Sequence, residues 1–210
     1  MSRSTGASAA GRREAETRSR DSILREAAGL VTVEGIEGLS IARLASAVGL
    51  SKSGLFAHFR SKEELQLATL ETADQIFRAE VVEPALRTPT AAGRLRALCE
   101  EFLSHIERGV FPGGCFFASV AAEIDTHPGP VRDRALAIVA EWLNGLEATA
   151  RKAQVEGAID PDEDPAQIAF ELNAYLLHAN AQYVASGSRE PLDRARHAID
   201  RLLRHVSRDG

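Results

Sequence analysis

The sequence predicts an all-α fold of about nine helices, arranged as an N-terminal three-helix unit and a longer C-terminal helical domain. Three observations carry that prediction. Apolar residues recur at i, i+3, i+4 and i+7 along most of the chain, which is one face of a helix. Gly and Pro clusters cut the pattern into segments of helix length. Between Ser40 and Glu64, in SIARLASAVGLSKSGLFAHFRSKEE, three helix starts follow one another with little more than a turn between them.

Taken in order, residues 1–16 are rich in Ser, Ala, Gly and Arg without periodicity, and read as a disordered arm. Residues 17–62 form the three-helix unit. Its first helix, 18–34, carries Ile23, Leu24, Ala27, Ala28, Leu30 and Val31 as one stripe and ends at Gly35 and Gly38. Ser40 is a good N-cap, because its hydroxyl accepts a backbone N–H that the first turn leaves unpaired. Ile41, Leu44, Ala45 and Val48 make the next apolar face. Gly49 suits the left-handed residue that closes a helix, and Leu50 is expected to plug the turn against the core. Ser51 caps a short helix running through Lys52, Ser53, Gly54, Leu55 and Phe56 to His58, with Leu55 and Phe59 facing inward. Ser61, with Glu64 three residues on, has capping-box spacing. A supporting helix, a turn with Gly and a second helix are how a helix-turn-helix is written.

The helical domain, 63–210, opens with a long helix from Ser61 to about Leu86, in which Pro84 marks a kink or an end. Thr90 caps the next helix, to about Arg108, with Leu95, Leu98, Phe102 and Ile106 on one face. The stretch GVFPGGCFF, 109–117, reads as a loop feeding a helix; it has neither GxxxxGK[ST] nor G-x-G-x-x-G, so it is no phosphate cradle. His127-Pro128-Gly129-Pro130 is a break, followed by a helix to Glu156. AIDPDEDP, 158–165, has alternating aspartates but no central Gly and no Glu at the twelfth position of a calcium loop, which excludes an EF-hand. Asp164 is an N-cap with Pro165 at the first helical position and Gln167 completing a capping box. Two helices follow, to about Ser186 and Val206. The first of them is apolar around much of its girth and must bury two faces.

The short helix after Ser51 has an unusual surface. Ser51, Lys52, Ser53 and Gly54 are small or basic, with no acidic group, as a helix entering the major groove requires. Helical hairpins of this shape also occur without DNA. The charge of the whole chain is −5, yet residues 1–62 hold ten Lys/Arg against six Asp/Glu while the remainder is acidic. A basic N-terminal unit on an acidic body suits phosphate neutralisation. Arg3, Arg12 and Arg13 of the arm are in reach of a duplex on this reading.

Over roughly residues 18–65 the chain resembles the TetR family of bacterial one-component transcriptional regulators. The features that match are Ile41-Ala42, Ala45, Val48-Gly49-Leu50-Ser51, Gly54-Leu55-Phe56, His58-Phe59 and Ser61-Lys62-Glu63. The resemblance implies a dimeric, ligand-responsive repressor on a palindromic operator, with an effector pocket in the C-terminal part. It assigns DNA contacts to Ser40, Arg43, Ser51, Lys52, Ser53, Gly54, Phe56, His58 and Lys62. Phe56 stands where the family usually has Tyr, so packing is kept, the hydroxyl donor is lost, and contact with a thymine methyl is what remains.

With a pocket implied, the residues expected to line it are Phe77, Phe102, Phe116, Phe117, Val120, Trp142 and Tyr175, although aromatics at helical spacing also serve as plain core. Leu172, Leu176, Tyr183, Ile199, Leu202 and Leu203 are the expected dimer contacts. The competing class is a helical enzyme or small-molecule carrier with no DNA role; no G-x-S-x-G or H-E-x-x-H supports it. No cofactor and no metal is expected, since Cys99 and Cys115 form no CxxC. Few cysteines, no secretory leader and no long apolar run predict a cytoplasmic protein with no membrane partner.

Overall fold

The computed structural model describes residues 9–124 and 128–208. Among them are nine helices, and the sole extended pairing is an isolated bridge between Ile159 and Ser207. Helix α1 spans Ala9–Glu34, α2 Ile41–Val48 and α3 Lys52–Phe56. Helix α4 begins as Lys62–Phe77, continues through a π-helical turn, Arg78–Val82, and finishes as Glu83–Leu86. Helices α5 (Ala91–Glu107), α6 (Phe116–Ile124), α7 (Pro130–Val155), α8 (Pro165–Ser186) and α9 (Glu190–His205) complete the chain. No helix among the described residues is long and apolar enough to cross a membrane.

Two boundaries differ from expectation. Helix α1 starts at Ala9, so residues 9–16 of the expected arm are helical, as their Ala, Arg and Glu content favours; residues 1–8 lie outside the described residues. In α4, Pro84 does not end the helix, which runs on to Leu86. Proline offers no N–H to the carbonyl four residues back. The ladder resets just before it, with the Glu83 N–H donating to the Arg78 carbonyl. A π turn of this kind lets a helix pass a residue that cannot continue the α ladder.

The caps follow the sequence. Ser40 Oγ accepts from the Arg43 N–H at 3.2 Å, Ser51 Oγ from Gly54 at 3.0 Å and Ser61 Oγ from Glu64 at 3.0 Å. Gly49 closes α2 at φ +69, where a side chain would be strained. The Glu64 carboxylate reaches back one residue further than expected, to the Arg60 N–H at 2.9 Å. Asp164 caps α8 through the Ala166 N–H, but Gln167 turns outward to Glu171 instead of completing a box.

Leu44, Leu55 and Phe59 are fully buried beneath α1 residues Leu24, Ala27 and Val31 in one continuous core. Burying each such large side chain contributes about 1.5–3 kcal/mol, which holds so short a helix as α3 in place. Leu50 departs from its expected role: it is 40% exposed, on the outer side of the turn. The segment between α1 and α2 is gripped from two sides. Gln66 of α4 donates to the Ile36 carbonyl at 2.8 Å, and Glu123 of α6 accepts from the Glu37 N–H at 3.3 Å.

Candidate nucleic-acid interface and ligand cavity

The outer surface of α2 and α3 gathers Ser51, Lys52, Ser53 and Phe56, all exposed, around the partly covered Gly54 and His58. Phe56 is 52% exposed, and Leu50 lies open on the neighbouring turn. Large apolar side chains left open beside a lysine and small hydroxyls fit thymine methyls and phosphates together. Two of the cations assigned to DNA are engaged within the protein. Arg43 forks onto Glu34 at 2.8 and 3.0 Å, which raises its pKa further, and Lys62 Nζ donates to the Glu37 carboxylate at 2.9 Å and the Glu37 carbonyl at 2.8 Å. A phosphate would share these groups with the carboxylates they already hold, since each keeps a donor to spare. Arg20 lies over the Phe59 ring, 4.7 Å from its centre.

A cavity of about 430 Å³ opens among α4, α5, α6, α7 and α8. Phe77, Phe102, Phe117 and Trp142 line it, as the sequence suggested. Phe116, Val120 and Tyr175 do not. On α6, Phe117, Ala118 and Ala121 face the cavity, while Phe116 and Val120 share the adjoining stripe and are buried in the core, Phe116 beside Phe111. On α8 the cavity side is Asn173, Leu177, Asn180 and Ala181, and Tyr175, two residues from Asn173, points away. The sequence reading missed the polar members of the wall. Asp74, Arg78 and Glu141 occupy one end, and Asn173 accepts the Trp142 indole N–H at 3.0 Å.

That polar end belongs to a chain of ion pairs joining α4 to α7. Arg78 donates to Asp74 at 2.9 Å and to Glu141 at 2.5 Å. Arg134 grips Glu71 at 2.5 and 2.9 Å and touches Glu141 at 3.4 Å. The Glu71 carboxyl is accordingly held below the usual carboxylate range, first by that hydrogen bond to Arg134.

The GVFPGGCFF loop is a wedge between α1 and α8. Gly113 donates to Thr32 Oγ1 of α1 at 3.0 Å, and a Cβ there would lie 2.0 Å from the Thr32 carbonyl oxygen. Gly114, at φ +82, sits against Asn180 of α8, and that side chain accepts the Cys115 N–H at 2.8 Å. Burial pushes the Cys99 thiol up to about 12 and raises Cys115 as well. Neither presents a thiolate.

The expected dimer contacts divide. Leu172, Leu176 and Ile199 are buried inside the protomer, and Tyr183, Leu202 and Leu203 are half-buried against the same core. The open face of α8 is instead Phe170, Ala174, Leu177, Ala181 and Val184. Their alternating spacing of four and three is an apolar seam of coiled-coil type. Helix α8 thus carries apolar residues on two sides, one packed in the protomer core and one open.

A capped helix-turn-helix joined through one long helix to an aromatic cavity defines a class of helical sensor with a nucleic-acid-reading end. Residues 23–69 match the bacterial regulatory proteins, tetR family, and residues 91–199 match the tetracyclin repressor-like, C-terminal domain. The chain belongs to the TetR family. It is 30% identical over 156 residues to the HTH-type transcriptional regulator TcmR of Streptomyces glaucescens, covering 70% of this chain and 64% of that one. A TetR transcriptional regulator from Chloroflexus aurantiacus has a similar structure, with a TM-score of 0.85 and 25% identity over 92% of this chain and 98% of that one. AibR, solved in complex with isovaleryl coenzyme A and operator DNA, superposes with a TM-score of 0.69 and 25% identity, over 84% of this chain and 96% of that one.

Proposed function

We propose that this chain is a homodimeric DNA-binding repressor, a regulator and not an enzyme, which reads a palindromic operator with α3 and is released by a small aromatic effector. The observation that carries the reading is the continuity of α4. It is capped by Ser61 beside the exposed recognition surface and contributes Phe77 and Arg78 to the cavity wall. Two further ties run from the cavity to the N-terminal helices: Glu123, on the helix that supplies Phe117, holds the Glu37 N–H, and Gly113, two residues before Cys115, seats on Thr32. An effector that binds better to the conformer with wrongly spaced recognition helices shifts the population toward it. Within this reading Ser51, Lys52, Ser53 and Phe56 face the groove, Ser40, Arg43, His58 and Lys62 lie along the backbone, and Leu50 joins Phe56 as an apolar contact. A regulator of this kind works in the cytoplasm, where the chromosome is.

Fluorescence anisotropy on duplex from around the gene's own promoter, against a scrambled duplex at equal salt, tests the reading. Selective binding is expected; equal weak binding to both duplexes, and to any duplex selected from a random pool, refutes it. The dimer seam is tested by Phe170→Glu, at a residue 66% exposed in the protomer. Light scattering should report a monomer, and an unchanged dimer would place the seam elsewhere.

A further inference from the structure

We infer that the cavity selects its occupant by charge: it takes an aromatic molecule carrying a basic amine and turns away the same skeleton carrying a carboxylate. This rests on the cavity being the effector site and names the chemistry that the site accepts.

The apolar walls set the aromatic preference. Trp142 meets Phe77 edge to face at 5.2 Å and stacks with Phe102 at 6.0 Å. Phe117 meets Phe77 at 6.3 Å. A wall built of such rings favours a planar aromatic occupant, and aromatic rings also attract a cation.

The polar end sets the sign. Of the charged groups lining the cavity, Asp74 and Glu141 are carboxylates and Arg78 is the guanidinium between them. Arg78 donates to both. Arg134, behind Glu141, is bound to Glu71 and is held further above the ordinary arginine range by that bond. An incoming carboxylate therefore meets a net negative end, and the guanidinium it must approach is already shared by Asp74 and Glu141, which repel it. An incoming ammonium meets the same net negative end with the favourable sign. The amide groups add no charge: Asn173 holds Trp142, and Asn180 holds the Cys115 N–H.

Trp142 is the one tryptophan in the chain and lies in the wall, so its fluorescence reads occupancy independently of DNA. Biphenylmethylamine, biphenylmethanol and biphenylcarboxylate share a skeleton and differ in charge. Titrated into the purified full chain, they should quench Trp142 with affinity falling in that order, at least about tenfold between the ends. Asp74→Asn and Glu141→Gln each remove one charge with little change of shape, and each should narrow the gap; the double variant should invert it. Glu141 is exposed, so its variant stands if Asp74→Asn fails to fold. Carboxylate binding as tight as the amine, quenching by none of the three, an undiminished gap in the folded single variants, or an unchanged order in the folded double variant overturns the inference. If the amine binds as expected and operator-bound protein is undisturbed, charge selection stands and the effector reading falls.

Discussion

The recognition surface and the cavity are assembled over different lengths of chain. Around α2 and α3, each helix start is set by a residue and a partner three positions away: Ser40 with Arg43, Ser51 with Gly54, Ser61 with Glu64. The cavity wall draws Phe77 from α4, Phe102 from α5, Phe117 from α6, Trp142 from α7 and Asn180 from α8. The first arrangement leaves its outward residues free to change without disturbing the fold. In the second, Phe77, Phe102, Phe117 and Trp142 line the cavity and also pack on one another across helices, so specificity and stability change together there.

Glycine substitutions should break that contrast most sharply. Gly113→Ala places a methyl against the α1 backbone and should destabilise the fold by about 2–4 kcal/mol, read in a urea melt. Gly54→Ala meets only Ser51 Oγ at 3.2 Å and sits within a helix, so its melt should stay within about 1 kcal/mol of the parent while operator affinity falls. Equal melts for the two would erase the distinction.

A titratable group sharpens it. His105 is buried in α5 with neither ring nitrogen hydrogen-bonded, edge-on to Phe77 and Phe111, beside the Arg108–Glu80 ion pair. Burial, with the nearby Arg108 charge, depresses its pKa from 6.5 to about 4. The unfolded chain binds that proton first, so stability is full above 6.5 and declines as the pH falls toward about 4. The loss is on the order of 3 kcal/mol from this one group. Denaturation of His105→Phe across the same interval should be flatter by that amount; parallel curves would mean that the ring is hydrated.

The smallest change in stability belongs to Lys52→Ala. Its ammonium is exposed and has no ion-pair partner among the described residues, so the melt should be unchanged while operator affinity drops several-fold, by anisotropy. Unaltered affinity would remove Lys52 from the interface.

The same division of length explains what could be read from sequence. Caps at Ser40, Ser51, Ser61, Thr90 and Asp164 were legible because each needs only its own neighbours. Phe117 could not be told from Phe116, since both lie on one apolar helix and only the position of α7 decides which meets empty space. Leu172 and Phe170 are likewise both apolar on α8, and which of them is buried and which left open is decided by α9 packing on one side. The spacing of Phe170, Ala174, Leu177, Ala181 and Val184 was the one signal that would have found the open apolar face. Gly113 carried a signal too, but nothing local says that an α1 carbonyl waits opposite it.

The ion-pair chain from Glu71 through Arg134, Glu141 and Arg78 to Asp74 has a consequence for how the protein responds to ionic strength. Salt releases phosphate contacts at the operator, and it also screens the half-exposed ties that hold α4 against α7. A plot of operator affinity against salt therefore contains two slopes, one from DNA and one from the sensor relaxing at a distance. Counting phosphates from that plot would give too many, and the excess would measure how much of the grip on DNA is held in place by charges that never touch it.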